Sequence, residues 1–187
     1  MKKSLIATCT IFSIVLQFAY SQDDKPYRNY SRMQKFNLVA GLDISKPFGS
    51  FSDTHSFGLG LNLGVNYRFN KLFSATGKID FDYYFGKKYG SGYTGSETKY
   101  KGLSYLAVNP GIRFDIPATP IFINPEVGIG FSFYDSNSIF EWDSDIFIGY
   151  EFAAFRNHQM SMGLGYGCFM KDRSSSDFGF VRTTVDF

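Results

Sequence analysis

The sequence predicts an all-β chain, an eight-stranded antiparallel up-and-down transmembrane β-barrel, on three observations. Eight segments alternate large apolar residues with small or polar ones at a period of two, the period of a strand and not of a helix. Short connections between segments alternate with longer, more polar ones. Composition agrees, with 22 phenylalanines, 13 tyrosines and 19 glycines in 187 residues and few helix-forming runs.

The segments follow in chain order. Lys35–Ser45 sets Phe36, Leu38, Ala40, Leu42 and Ile44 on one face. Ser56–Phe69 sets Phe57, Leu59, Leu61, Leu63, Val65, Tyr67 and Phe69 against Gly58, Gly60, Asn62, Gly64, Asn66 and Arg68. In Leu72–Gly86, Phe73, Ile79, Phe81, Tyr83 and Phe85 oppose Ser74, Thr76, Lys78, Asp80, Asp82 and Tyr84. In Tyr100–Asp115, Leu106, Val108, Pro110, Ile112 and Phe114 oppose Ala107, Asn109, Gly111, Arg113 and Asp115. In Ile121–Tyr134, Ile121, Ile123, Pro125, Val127, Ile129, Phe131 and Phe133 oppose Asn124, Glu126, Gly128, Gly130 and Ser132. Asp145–Phe155 sets Ile146, Ile148, Tyr150 and Phe152 against Gly149, Glu151 and Ala153. Gln159–Met170 sets Met160, Met162, Leu164, Tyr166 and Cys168 against Ser161, Gly163, Gly165 and Gly167. Asp177–Phe187 sets Val181, Thr183, Val185 and Phe187 against Phe180, Arg182, Thr184 and Asp186. Pro110 and Pro125 conflict with a regular ladder because proline has no N–H to donate, so a bulge or weak pairing is expected there.

Residues 70–71, 116–120 and 156–158 are the short connections. Residues 46–55, 87–99, 135–144 and 171–176 are the longer ones. Short turns at one end and long loops at the other are the asymmetry of a membrane barrel. Alternation alone leaves open which face points inward. The second face is rich in Gly, Asn and Ser, which suits a crowded inner wall better than a solvated surface. The large apolar face is therefore expected to meet lipid, with aromatic residues near the strand ends at the interfaces.

The opening MKKSLIATCTIFSIVLQFAYSQDD reads as a secretory signal: two lysines, an apolar run and small residues before Gln22. The expected organisation is a signal peptide over 1–21, a short periplasmic segment over 22–34 and a barrel over 35–187. Processing would leave 17 basic residues, Lys2 and Lys3 being lost from 19, against 17 acidic ones. A neutral mature chain gives no footing for nucleic-acid binding. Cys168 alone would remain, so no internal disulfide is expected.

With that leader, eight alternating strands and the ending FVRTTVDF, the chain resembles the small bacterial outer-membrane barrels of the OmpA/OmpX-like superfamily. The texture after Gln22 suggests a Bacteroidota-type member. The resemblance implies location in the outer membrane. It also implies contact with its lipid and lipopolysaccharide, and insertion by the barrel-assembly machinery. Val181, Thr183, Val185 and Phe187 match the C-terminal assembly signal, with Thr183 less apolar than that pattern prefers. The resemblance speaks to architecture and says little about activity.

On the inner face Arg68, Lys78, Arg113, Glu126, Glu151 and Arg182 are expected to form a charge network. Glu126, Glu151 and Arg182 are placed at one depth by counting from the short turns. A plug of paired charges is favoured over a gate, because a narrow barrel is filled by side chains and a buried charge needs a partner. Asp80 and Asp82 are expected nearer the loops, in solvent. Ser52, Asp53, His55 and Ser56 crowd one loop without the order of a catalytic relay. His158 and Ser161 lie at the end away from the long loops. Cys168 reads as an apolar filler. No catalytic site, metal site or cofactor is expected. The function indicated is a structural or interaction role in the cell envelope, with loops 46–55 and 87–99 as surfaces for a protein partner. The alternative is a narrow porin-like channel for ions or very small solutes.

Overall fold

The computed structural model describes residues 35–90, 97–134, 137–153, 158–171 and 174–187. The expected signal peptide (1–21), the segment 22–34, the tip of the loop at 87–99 and the turn containing Arg156 lie wholly or partly outside them. Strands are β1 (Phe36–Pro47), β2 (His55–Arg68), β3 (Phe73–Gly86), β4 (Lys88–Gly90), β5 (Glu97–Lys99), β6 (Leu103–Asp115), β7 (Ile121–Tyr134), β8 (Asn137–Ala153), β9 (Gln159–Lys171) and β10 (Ser174–Asp186). A six-residue helix, α1 (Gly49–Thr54), lies between β1 and β2.

Eight strands close into an antiparallel barrel in the order β1-β2-β3-β6-β7-β8-β9-β10, with β10 paired back onto β1. β4 and β5 form a separate two-stranded hairpin at the loop end. Pairings followed round the barrel from Phe133 run through Ser104, Tyr83, Leu59, Ile44, Val181, Leu164 and Ile148, and return to β7 at Ile123. The path comes back ten residues lower on the same strand. That offset tilts the strands steeply, by about 35–45° from the barrel axis.

The apolar face points outward throughout. Leu61 and Leu63 are 58% and 66% exposed while Asn62 between them is 3% exposed. Glycines on the inner wall make room for rings reaching in from the neighbouring strand. A Cβ on Gly165 would meet the Phe180 ring at 2.1 Å, and one on Gly149 would meet the Phe122 ring at 2.3 Å.

Three expectations about the connections change. Residues 135–144 were expected to be a loop, but β8 begins at Asn137 and pairs Tyr134 with Asn137. Its inward residues Glu141, Asp143 and Asp145 are acidic, so the alternation was masked by polar composition. Outward Phe140 and Trp142 continue the pattern opposite Phe131 and Ile129. Residues 171–176 likewise belong largely to β9 and β10, with Ser174 paired to Lys171. In the loop 46–55, α1 turns Phe51 into the barrel mouth, where it is 6% exposed.

Near the prolines the register does not shift. Val108 pairs with Ile129 and Gly111 with Glu126, but the residues between them are unpaired across the β6–β7 seam.

If glycine is needed for ring clearance, Gly165→Val should destabilise the barrel by about 1–3 kcal/mol. Urea unfolding in lipid vesicles should show this, while Leu63→Val, on the open outer wall, shifts the midpoint less.

Candidate functional site

The lumen is filled in layers. At its centre Lys78, from β3, meets Asp80 at 3.2 Å and Asp145 at 3.0 Å, and contacts Glu126 directly. Arg182, from β10, grips Asp43 with two parallel bonds, Nε to Oδ1 at 2.9 Å and Nη2 to Oδ2 at 3.0 Å. Its Nη1 lies 3.6 Å from Glu126 and its Nη2 lies 3.7 Å from Asp145. Neutral amides complete the layer: Asn62 donates to Asp43 at 3.1 Å, and Asn109 to Asp80 at 3.0 Å and Asp143 at 2.7 Å. The Arg182 guanidinium also lies 4.5 Å from the Phe180 ring centre.

Towards the short turns, Arg113 donates to Asp115 and to Glu151, both at 2.9 Å, and lies over the Phe122 ring at 3.6 Å. Arg68 stands at this end of β2, opposite Ser74. Glu126 and Arg182 therefore meet in the central layer, whereas Glu151 meets Arg113 below it. The one-depth expectation is corrected by the register: Glu151 N donates to Pro120 O, just below the start of β7, whereas Asp145, further up the same strand, faces Glu126. Asp80 and Asp82 are also not in solvent, being 4% and 8% exposed.

Above the charges lies an aromatic layer that the alternation scarcely revealed. Tyr105 and Phe169 rings stand 3.8 Å apart, Phe169 and Phe178 4.7 Å, and Phe51 and Tyr84 4.9 Å. The sequence signal was the set of inner-wall glycines facing them, such as Gly167 opposite Phe178 and Gly58 opposite Tyr84. Between the layers remain cavities of about 50 Å³, beside Lys78, Arg113 and Arg182, and about 10 Å³, beneath Phe169 and Phe178.

The hydroxyls of Ser52 and Ser56 and the imidazole of His55 each bond elsewhere. Ser52 Oγ donates to Gly49 O, Ser56 Oγ to Phe85 O, and His55 Nδ1 pairs with Thr54 Oγ1. His158 lies against Phe187, and Ser161 Oγ pairs with Thr184. At the loop end Lys46, Lys88, Lys99 and Lys101 are exposed around the β1–β2–β3–β6 arc, together with Asp53 on α1. The β4–β5 register sets Lys88 directly opposite Lys99.

Among solved structures the barrel matches Neisserial surface protein A with a TM-score of 0.56 at 15% identity, covering 82% of this chain and 96% of that one. It matches Ail of Yersinia pestis, solved in complex with the heparin analogue sucrose octasulfate, with a TM-score of 0.50 at 16% identity, covering 81% and 97%. The fold is that of a small eight-stranded outer-membrane barrel. No protein-family model matches the chain, and neither does any curated protein sequence.

In this outer-membrane barrel fold the last strand carries Val181, Thr183, Val185 and Phe187 on the outer face, paired with Ile44, Leu42 and Ala40 of β1 up to Val185. Phe187 N donates to Leu38 O at 2.9 Å and its ring is 57% exposed. Removing one cation from the central layer leaves carboxylates buried without compensation. Lys78→Met should cost about 3–5 kcal/mol. The check is urea unfolding in lipid vesicles; the companion Lys71→Met, on the exposed turn, should leave the midpoint nearly unchanged.

Proposed function

We propose that the mature chain is a non-catalytic protein of the bacterial outer membrane that works as a structural and interaction element of the envelope. In this reading residues 1–21 direct export and are removed, and the Val181–Phe187 pattern serves recognition by the assembly machinery. The observation that carries it is the filled lumen. Two ion clusters and an aromatic layer occupy the bore, which leaves the loop-end rim as the surface available to partners. A narrow channel would require the Lys78–Arg182 layer to part, against the cost of separating buried ion pairs.

The rim also suggests the partner's chemistry. The β4–β5 register gathers two lysines, Lys88 and Lys99, on one spot of the exposed rim, where a polyanion would gain from their combined charge. Lys46 and Lys101 extend the positive surface along the same arc. Ail's complex with a sulfated heparin analogue offers a precedent of like chemistry in a protein of this fold. The reading is therefore an envelope barrel whose rim engages phosphorylated or sulfated polymers, lipopolysaccharide among them.

Immobilised heparin and lipopolysaccharide vesicles test this. The purified barrel should bind both and elute with rising salt, as screening of surface charge requires. Lys88→Glu with Lys99→Glu should elute at clearly lower salt. Equal retention of the double variant overturns the rim reading. Reproducible single-channel openings in planar bilayers, altered by Glu126→Gln, overturn the filled-lumen reading in favour of the channel.

A further inference from the structure

Pro110 and Pro125 create a feature that the filled lumen and the cationic rim leave unused. Each proline remains paired on its far side, Pro110 with Gly77 of β3 and Pro125 with Ile146 of β8. Their missing donors therefore both fall on the β6–β7 seam, where pairing is skipped between Val108 and Gly111 and again between Gly111 and Phe114. The same region is thinly covered on the outside. Val127 pairs with Ser144, and Ser144 with Cys168, so three consecutive strands carry small outward residues in one row. Pro110 lies next in that row. Elsewhere the outer wall carries residues such as Leu61, Leu63 and Ile79.

The result is an outward groove of about 620 Å³, walled by Ile112, Val127, Ile146 and Tyr166 and floored where Gly111 and Glu126 meet. It is continuous with the exposed apolar band and lies beside the central charge layer, midway along the strands. Past Cys168 the row ends at Asp177, whose carboxylate is bonded by Tyr166 at the edge of the groove.

We propose that this groove is a binding site for one acyl chain of a membrane lipid, held against the β6–β7 seam. The proposal rests on the reading of the outer wall as hydrocarbon-facing. Its chemistry is apolar burial. A chain lying in the groove covers apolar wall that the small side chains leave open, and shields the floor beside Glu126, where the ladder lacks two N–H donors.

The test is native mass spectrometry of the full barrel, incubated with 1-palmitoyl-2-oleoyl-phosphatidylethanolamine and released from detergent micelles. A one-lipid adduct should persist on the wild type and on Leu63→Phe, a change on the continuous part of the wall. It should be lost on Ser144→Phe with Cys168→Phe, which fill the groove. Cys168→Leu, a milder filler, should weaken the adduct and serves if the double variant fails to assemble, as judged by circular dichroism and heat-modifiable mobility. An adduct equally abundant on the filled variants overturns the site. So does its absence from the wild type, or a stable two-chain mass without lipid, which would assign the groove to a second copy. Flotation with liposomes separates the two readings. A barrel that stays in the aqueous fraction sinks the hydrocarbon-facing wall, whereas flotation without the adduct sinks only the groove.

Discussion

Closure of β10 onto β1 is the constraint from which the rest of this molecule follows. A sheet in hydrocarbon has no water to satisfy its edge N–H and C=O groups, so the edge must vanish. Closing eight strands with a ten-residue offset produces a tilted, narrow tube. In a tube that narrow, many inward rings lie over a glycine on the neighbouring strand. Glycine on one strand and a ring on the next, as with Gly165 and Phe180, is the outcome.

The same narrowness governs the charges. Among the described buried side chains, carboxylates outnumber cations: Asp43, Asp80, Asp82, Asp115, Glu126, Asp143, Asp145 and Glu151 against Lys78, Arg113 and Arg182. Each cation must serve several acids, and the geometry reflects that, with Lys78 touching three and Arg182 reaching four. Amides from Asn62, Asn109 and Asn124 supply further donors. Such a lattice gives the interior a specific arrangement and makes each cation hard to replace, since its removal strands more than one buried carboxylate.

The two ends of the barrel divide the remaining roles. The short-turn end is tied by compact turns, as where Asn70 accepts from the N–H groups of Leu72 and Phe73 at 2.8 and 2.9 Å. The loop end carries α1, with Phe51 seated among aromatic rings, and the β4–β5 hairpin with its facing lysines. Lys46 Nζ donates to Ser56 O at 2.7 Å, and Lys87 Nζ donates to Ser52 O, so part of the cationic rim also braces the segment closing the mouth.

Much of this was legible in the residues themselves. Period-two alternation is a direct consequence of strand geometry, so the strands, their facing and the outward position of Leu61, Leu63 and Cys168 could be read without a structure. Where the inward residues turned acidic, as at Glu141 and Asp143, polarity imitated a loop and hid the start of β8. Asp80 and Asp82 were expected in solvent and are buried, but Lys78, Arg113, Glu126, Glu151 and Arg182 were legible as lumen charges from their inward parity. Their partners were not. Which acid meets which cation depends on the stagger between distant strands, and stagger is a property of the closed sheet that no local pattern records. The sequence by itself determined which side of each strand is apolar. Only closure decided that Glu126 meets Arg182 while Glu151 meets Arg113, because the register between strands, and not the count of residues from a turn, sets the depth of each side chain in the barrel.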